Sequence, residues 1–345
     1  MKKRGGFALA GAVAGLTAGL VAQRSLVARR RRNDPEAAEP FGRRRGDRSR
    51  MITVEDGARL FIEETGPPAN RGAVFLHGSV LRTDVWHYQL AGLGDHRLIF
   101  FDLRGHGVSQ PKGEADFNVE TLASDLNAVI EDSKLDEVVL VGHSVGGMIA
   151  LKYCVDHQPQ LGSKVKGLVL VNTTHRPVYE TLVGGAAISK LERFARHPLD
   201  LLGSQHHYIE RLRKIFKPSD SVFLAVSFAA FGPGASAHQI DFTYDMLSET
   251  PTDVIFDLIK SYRDFDVTED LGGITIPALV ITGTHDRLTV SEASEYLAEN
   301  LPKAELKVFE GCGHMTMLER HRDFNTMVKG FLDDVLGPPN KKKRR

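Results

Sequence analysis

Glu137-Val138-Val139-Leu140-Val141-Gly142-His143-Ser144-Val145-Gly146-Gly147 is the stretch on which the fold turns. Val138 to Val141 is a continuous apolar run, the pattern of a strand buried on both faces. Met148 to His157 predicts a helix. Between them, Gly142-x-Ser144-x-Gly146 predicts a turn so tight that Ser144 is strained and its hydroxyl stands clear of the backbone. A side chain larger than hydrogen at 142 or 146 would strike the neighbouring strand or helix. The helix N-terminus turns free N–H groups and the positive end of its dipole toward the same point, which favours a developing negative charge there.

Working outward, strand and helix alternate. Ile52 to Glu63 predicts two short strands around Asp56-Gly57, a hairpin signal. Ala73-Val-Phe-Leu-His77 and Leu98-Ile-Phe-Phe101 predict buried strands, with a helix from Asp84 to Leu93 between them. Val119, Leu122, Leu126, Val129 and Ile130 follow helical spacing. Val165 to Val171, Pro277 to Gly283 and Leu306 to Phe309 complete the strands, and Met317 to Leu336 predicts a closing helix. Such alternation implies a mostly parallel sheet covered by helices on both faces. Ligands of such sheets bind beyond the carboxyl ends of the strands. The turns at Gly78, Gly105 and Ser144 all follow strand ends and should share that edge.

The charge is unevenly placed. The 345 residues carry 44 basic and 44 acidic side chains, yet the first fifty hold 13 basic and 4 acidic, and the last five are all basic. The body between them is therefore acidic, which excludes a nucleic-acid binder. Gly5 to Gln23 is free of charge and rich in Ala, Gly, Leu and Val, with Gly11, Gly15 and Gly19 on one helical face. We read residues 1–32 as a membrane anchor with its core at 5–23. Arg24 and Arg29 to Arg32 outnumber Lys2, Lys3 and Arg4, so the body should face the cytoplasm. A secretory signal or a peripheral or soluble helix are the alternatives. Residues 33–50, rich in Pro, Glu and Arg, read as a disordered linker, and 337–345 as a basic tail.

Residues 51–336 resemble an α/β-hydrolase fold enzyme of the single-domain esterase and cofactor-free haloperoxidase type. The resemblance rests on His77-Gly78, Asp102-Leu-Arg-Gly-His-Gly-Val-Ser109, Gly142-His-Ser-Val-Gly-Gly147, Gly283-Thr-His-Asp286 and Gly313-His314. It implies a mostly parallel eight-stranded sheet, a core at 51–174 and 266–336, and a helical cap at 175–265 inserted after the sixth strand. It also implies a catalytic triad in which Ser144 is the nucleophile, Asp286 the acid and His314 the base. The backbone N–H groups of Ser79 and Val145 would form the oxyanion hole. Asp102, Arg104 and His106 look catalytic, but in this family their motif mainly shapes a loop. Asn172 follows a strand after which some members place the acid, and it is neutral. Ser at 144 disfavours the dehalogenases and epoxide hydrolases of the fold, which use Asp there.

The stretch 175–265 contains amphipathic segments at Ile188–Arg196, Tyr208–Phe216, Val222–Phe231, Gln239–Leu247 and Val254–Tyr262. Phe223, Phe228, Phe231, Phe242, Tyr244 and Met246 are candidate pocket walls. His206, His207 and His238 lack the partners a metal site needs. Cys154 and Cys312 suggest neither a disulfide framework nor a metal. The expected function is hydrolysis of a carboxylic ester, possibly hydrophobic or lipid-like, through an acyl-enzyme, without cofactor, metal or protein partner. A carbon–carbon bond hydrolase, a lactonase or a perhydrolase would use the same triad. A non-catalytic ligand-binding member is the alternative outside enzymes.

Overall fold

The computed structural model describes residues 21–112, 117–181 and 219–338. Eight strands form one sheet: β1 (Arg48–Thr53), β2 (Arg59–Thr65), β3 (Arg71–Leu76), β4 (Leu98–Phe101), β5 (Glu137–His143), β6 (Val165–Val171), β7 (Ala278–Gly283) and β8 (Ala304–Phe309). Their spatial order is β1-β2-β4-β3-β5-β6-β7-β8. β1 and β2 pair antiparallel, as do β2 and β4, and every other pair is parallel. The β1–β2 connection is the turn expected at Asp56-Gly57: Gly57 has φ +87° and Asp56 accepts the Ala58 N–H at 2.9 Å.

The longer helices among the described residues are α1 (residues 21–32), α2 (His87–Gly92), α3 (Val119–Asp132), α4 (Val145–Asp156), α5 (Asp220–Ala230), α6 (Ala237–Glu249), α7 (Thr252–Ser261), α8 (Ser291–Asn300) and α9 (His321–Leu336). Successive strand residues point to opposite faces, so the apolar run of β5 feeds two cores. Val138 and Leu140 join a cluster with α3, α4 and α8. Val139 and Val141 join one with Trp86, Phe324 and Val328 on the other face. Double coverage explains why these strands read as unbroken apolar runs.

The strand order reverses between β3 and β5, the chain going outward from β3 to β4 and returning on the other side. At such a switch point the loops after neighbouring strands diverge and leave a crevice. The loops after β3 and β5 flank it.

The amino-terminal region departs from expectation. Residues 1–20, and with them most of the apolar segment, lie outside the described residues. Residues 21–32 are not the free basic flank of a membrane span. Val27 is fully buried, Arg31 pairs with Asp241 at 2.8 Å and with Asp220, and Arg30 reaches Ser227 and the Ala235 carbonyl. Among the described residues no helix is long and apolar enough to cross a membrane. The expected anchor, and the membrane-held location facing the cytoplasm, are therefore corrected: no described helix can span a membrane, and two of the charges that suggested an inner flank, Arg30 and Arg31, are held by groups of the protein itself. Residues 33–50 are likewise engaged. Asp34 accepts the His238 N–H at the start of α6, Phe41 stacks on Phe242 at 4.7 Å between ring centres, and Arg48 to Arg50 enter β1. Composition suggests disorder because the Asp34 and Phe41 contacts are made with chain about 200 residues away.

Candidate active site

Ser144 closes β5 and opens α4, with φ +53° and ψ −122°. That is a costly backbone conformation for a residue with a side chain. The glycines around it have no alternative. A Cβ on Gly142 would lie 2.4 Å from the Gly146 carbonyl oxygen, and one on Gly146 2.3 Å from that of Leu76. The turn is pinned by the Ser144 N–H donating to Val171 O at 3.0 Å and the Thr173 hydroxyl donating to Ser144 O at 2.6 Å. Val145, the first residue of α4, has no intrahelical acceptor for its N–H.

His314 follows β8 and Asp286 follows β7. His314 Nδ1 lies 2.8 Å from Asp286 Oδ2. The Asp286 carboxylate also accepts the Leu288 and Thr289 N–H groups on Oδ1, and the Thr289 hydroxyl and Asn172 amide on Oδ2, all within 2.9 Å. Burial opposes its ionisation, but the adjacent His314 ring and the hydrogen bonds from His314 and Thr289 outweigh burial and leave its pKa below the ordinary carboxylate value. Ser144, His314, Ser79 and Val145 all line one cavity of about 200 Å³, whose wall also includes Ala230, Thr243 and Tyr262 of the segment between β6 and β7. Asp286 stands behind His314, 5% exposed. His285, next to Asp286, has its Nδ1 3.3 Å from the Thr284 hydroxyl.

The Asp102–Ser109 motif faces away from the cavity and holds the loop that carries Ser79. Asp102 accepts the N–H groups of Thr83 and Val108, each at 2.8 Å. Arg104 forks onto Asp125, both bonds 2.7 Å, and reaches Asp56. His106 donates from Nδ1 to the Arg104 carbonyl and accepts the Val80 N–H on Nε2. Its full burial drives its pKa down to about 4, so the ring is neutral and can accept. Val80 has φ +58°, an outlier for a β-branched residue. The bond to His106 helps hold it there and so fixes the direction of the preceding peptide.

Four residues with no signal in the motifs also belong to the site. Asn172 accepts the Thr316 hydroxyl at 2.7 Å while its amide holds Asp286. Thr289 braces the acid from the other side. His143, the variable residue of its motif, is fully buried; burial and then the nearby His314 ring lower its pKa to about 3, and it lies 3.0 Å from the His314 carbonyl. Glu319 accepts the N–H groups of Gly313 and Gly232, both at 2.8 Å, and so ties the His314 loop to the end of α5. Only spacing beyond any short pattern could have found them.

The expected pocket walls are not walls of this cavity. Phe223, Phe231, Phe242 and Met246 are buried within the inserted helices and their neighbours, and Phe228 is 66% exposed beside Arg287. Their helices turn those faces inward, while Thr243 and Ala230 face Ser144. Ile188–Arg196, Tyr208–Phe216, His206 and His207 lie outside the described residues. His238 bonds the Glu39 carbonyl and packs on Phe41. Burial pushes the thiols of Cys154 and Cys312 up to about 12, so neither is a ready nucleophile.

A strained Ser at a strand–helix turn, an Asp–His pair on two later strand ends and a doubly covered parallel sheet define the α/β-hydrolase class. A family model described as alpha/beta hydrolase fold matches residues 74–321, and the chain belongs to that family. The chain is 26% identical over 283 residues to "AB hydrolase superfamily protein YisY" of Bacillus subtilis (strain 168), covering 81% of this chain and 97% of that one. It is 30% identical over 274 residues to a non-heme chloroperoxidase of Streptomyces lividans, covering 78% and 94%. Among solved structures it is similar to an esterase (EaEST) from Exiguobacterium antarcticum, with TM-score 0.66, 25% identity and coverage of 82% and 98%.

Proposed function

We infer that this enzyme is a serine hydrolase of compact carboxylic esters. Ser144 attacks the ester carbonyl while His314 takes its proton. The tetrahedral oxyanion lies against the Ser79 and Val145 N–H groups at the positive end of α4. His314 then returns the proton to the leaving alcohol, and an acyl-enzyme remains on Ser144. Water, deprotonated by His314, releases the acid. Asp286 holds the ring in the needed tautomer and balances the imidazolium. The observation that carries this reading is the 2.8 Å Asp286–His314 bond behind a cavity shared by His314 and Ser144.

The similar proteins bear the names of an esterase and a chloroperoxidase, so their names alone do not choose the reaction. The cavity bears on the substrate. At about 200 Å³ it lies below the range of roughly 300–1,000 Å³ usual for ligand pockets. That favours a short acyl group over a long lipid chain, and the membrane argument for a lipid falls with the anchor.

The test is labelling by a fluorophosphonate probe together with turnover of p-nitrophenyl butyrate. Wild type should label, Ser144→Ala should not, and His314→Ala should lower kcat by about 10⁴-fold or more. Labelling that survives Ser144→Ala would overturn the assignment.

A further inference from the structure

The cavity over Ser144 is apolar over most of its wall, with Leu81, Met148, Val178 and Leu288 among its residues. Four hydroxyls outside the triad interrupt it, of which that of Thr289 donates to Asp286. Ser79 Oγ and Tyr262 OH hydrogen-bond to each other. Thr243, on α6, is 6% exposed, and its Oγ1 has no hydrogen-bond partner among the described residues. A Thr inside a helix usually returns its proton to the carbonyl one turn back, and this one does not. A buried hydroxyl without a partner is destabilising, whereas an apolar group of the same shape costs nothing comparable.

The donor inventory points the same way. Ser79 and Tyr262 own one O–H proton each, and their mutual bond uses one of the two. Tyr262 is buried, which pushes its phenol well above the ordinary value despite the Ser79 bond, so it keeps its proton. The Ser79–Tyr262 pair therefore keeps one O–H unspent, and the Thr243 O–H beside it is also unspent; its oxygen is sealed from solvent in this structure, so contact with a ligand requires the side chain to turn about χ1. Neither is needed by the triad, whose protons pass between Ser144 and His314.

We propose that Thr243 and the Ser79–Tyr262 pair form a polar subsite that binds a second oxygen of the substrate, a hydroxyl, keto or ether oxygen separate from the scissile ester. The preferred substrates are then compact oxygenated esters rather than plain hydrocarbon ones. This rests on Ser144 being the nucleophile. The two donors sit on different parts of the fold, Thr243 and Tyr262 on the inserted segment and Ser79 on the loop after β3. An oxygenated substrate would bridge them, and a hydrocarbon chain would leave both hydroxyls unpaired.

The experiment compares kcat/KM within matched ester pairs. One pair, p-nitrophenyl butyrate and p-nitrophenyl 3-hydroxybutyrate, adds an oxygen on the acyl side. The other, butyl butyrate and 2-methoxyethyl butyrate, adds one on the alcohol side. Wild type should prefer the oxygenated member of at least one pair. Thr243→Val and Tyr262→Phe should each lower that preference by about tenfold, the equivalent of one hydrogen bond at roughly 1.4 kcal/mol. Thr243→Val should melt no lower than wild type, since it removes an unpartnered hydroxyl. Equal rates within both pairs for wild type, a preference unchanged in both variants, or a clear loss of stability in Thr243→Val would each overturn the subsite. Fluorophosphonate labelling with equal ester rates sinks the subsite alone, whereas absence of labelling sinks the hydrolase reading beneath it.

Discussion

Asn172 is the residue whose meaning changed most between sequence and structure. By its position after β6 it could have been the acid, and its neutrality excluded that. In the fold it instead serves Asp286, donating to its Oδ2 at 2.8 Å from a backbone with φ +46°, a conformation Asn tolerates better than most residues. Asn172→Asp keeps the shape and the tolerance but sets two carboxylates in contact, which cannot both ionise at ordinary pH. One proton must then leave the pair before Asp286 is fully charged. The acid limb of the pH profile of kcat/KM should move to higher pH, and kcat/KM at pH 6 should fall about tenfold or more. Superimposable profiles would show that Asn172 does not act through Asp286. The same scale explains Arg104. Its guanidinium is 2% exposed and forks onto Asp125, also 2% exposed. Asp125→Ala would take the forked carboxylate from a buried charge and leave the half-exposed Asp56 beside it. A loss of about 3–5 kcal/mol in urea unfolding is expected for breaking a buried pair, while the active-site geometry has no direct contact with Asp125.

Elements, unlike residues, show where local reading and long-range packing diverge. The β5–turn–α4 unit was legible because its constraints are local: alternation, two glycines and one helix start. Gly146→Ala tests it. Its Cβ would meet the Leu76 backbone, which cannot rotate away as a side chain can. A loss of about 3 kcal/mol or more, seen as reduced soluble yield and a lower melting temperature, is expected. Helix α1 and residues 33–47 were misread because nothing local marks a docked brace. Arg31, Asp34 and Phe41 look like a charged, Pro-containing linker until Asp241, Ser236 and Phe242 are set beside them. Phe41→Ala should destabilise by about 2 kcal/mol, less than a full core truncation because Phe41 is only half-buried. An unchanged urea midpoint would mean that the brace rests on its charges alone.

At the scale of the whole molecule, Glu319 is one of the points at which the inserted helices meet the loop that carries His314. It receives Gly232 from the end of α5 and Gly313 beside His314, while the His314 N–H donates to Ala230. Burial raises the Glu319 pKa to about 7, against the opposing pull of those two N–H groups. The folded state thus binds a proton that the unfolded chain releases near pH 4.5. Stability from this group is full below about pH 4.5 and is lost as pH rises toward 7. Glu319→Gln cannot titrate. Relative to wild type its melting temperature should rise steadily between pH 4.5 and 7 and then level off. A difference independent of pH would show that Glu319 is ionised throughout.

The sequence by itself determined the sheet, its two apolar faces, the elbow and the order Ser144, Asp286, His314, because strand alternation and glycine-bearing turns are written within a few residues of one another. Only the tertiary structure decided what surrounds that framework. Whether a basic helix flanks a membrane or docks on Asp241, whether Phe242 lines a cavity or packs on Phe41, and whether Thr243 finds a partner all depend on groups far apart in the chain. Their energies come from burial and pairing across the fold, and neither quantity exists until the chain has folded.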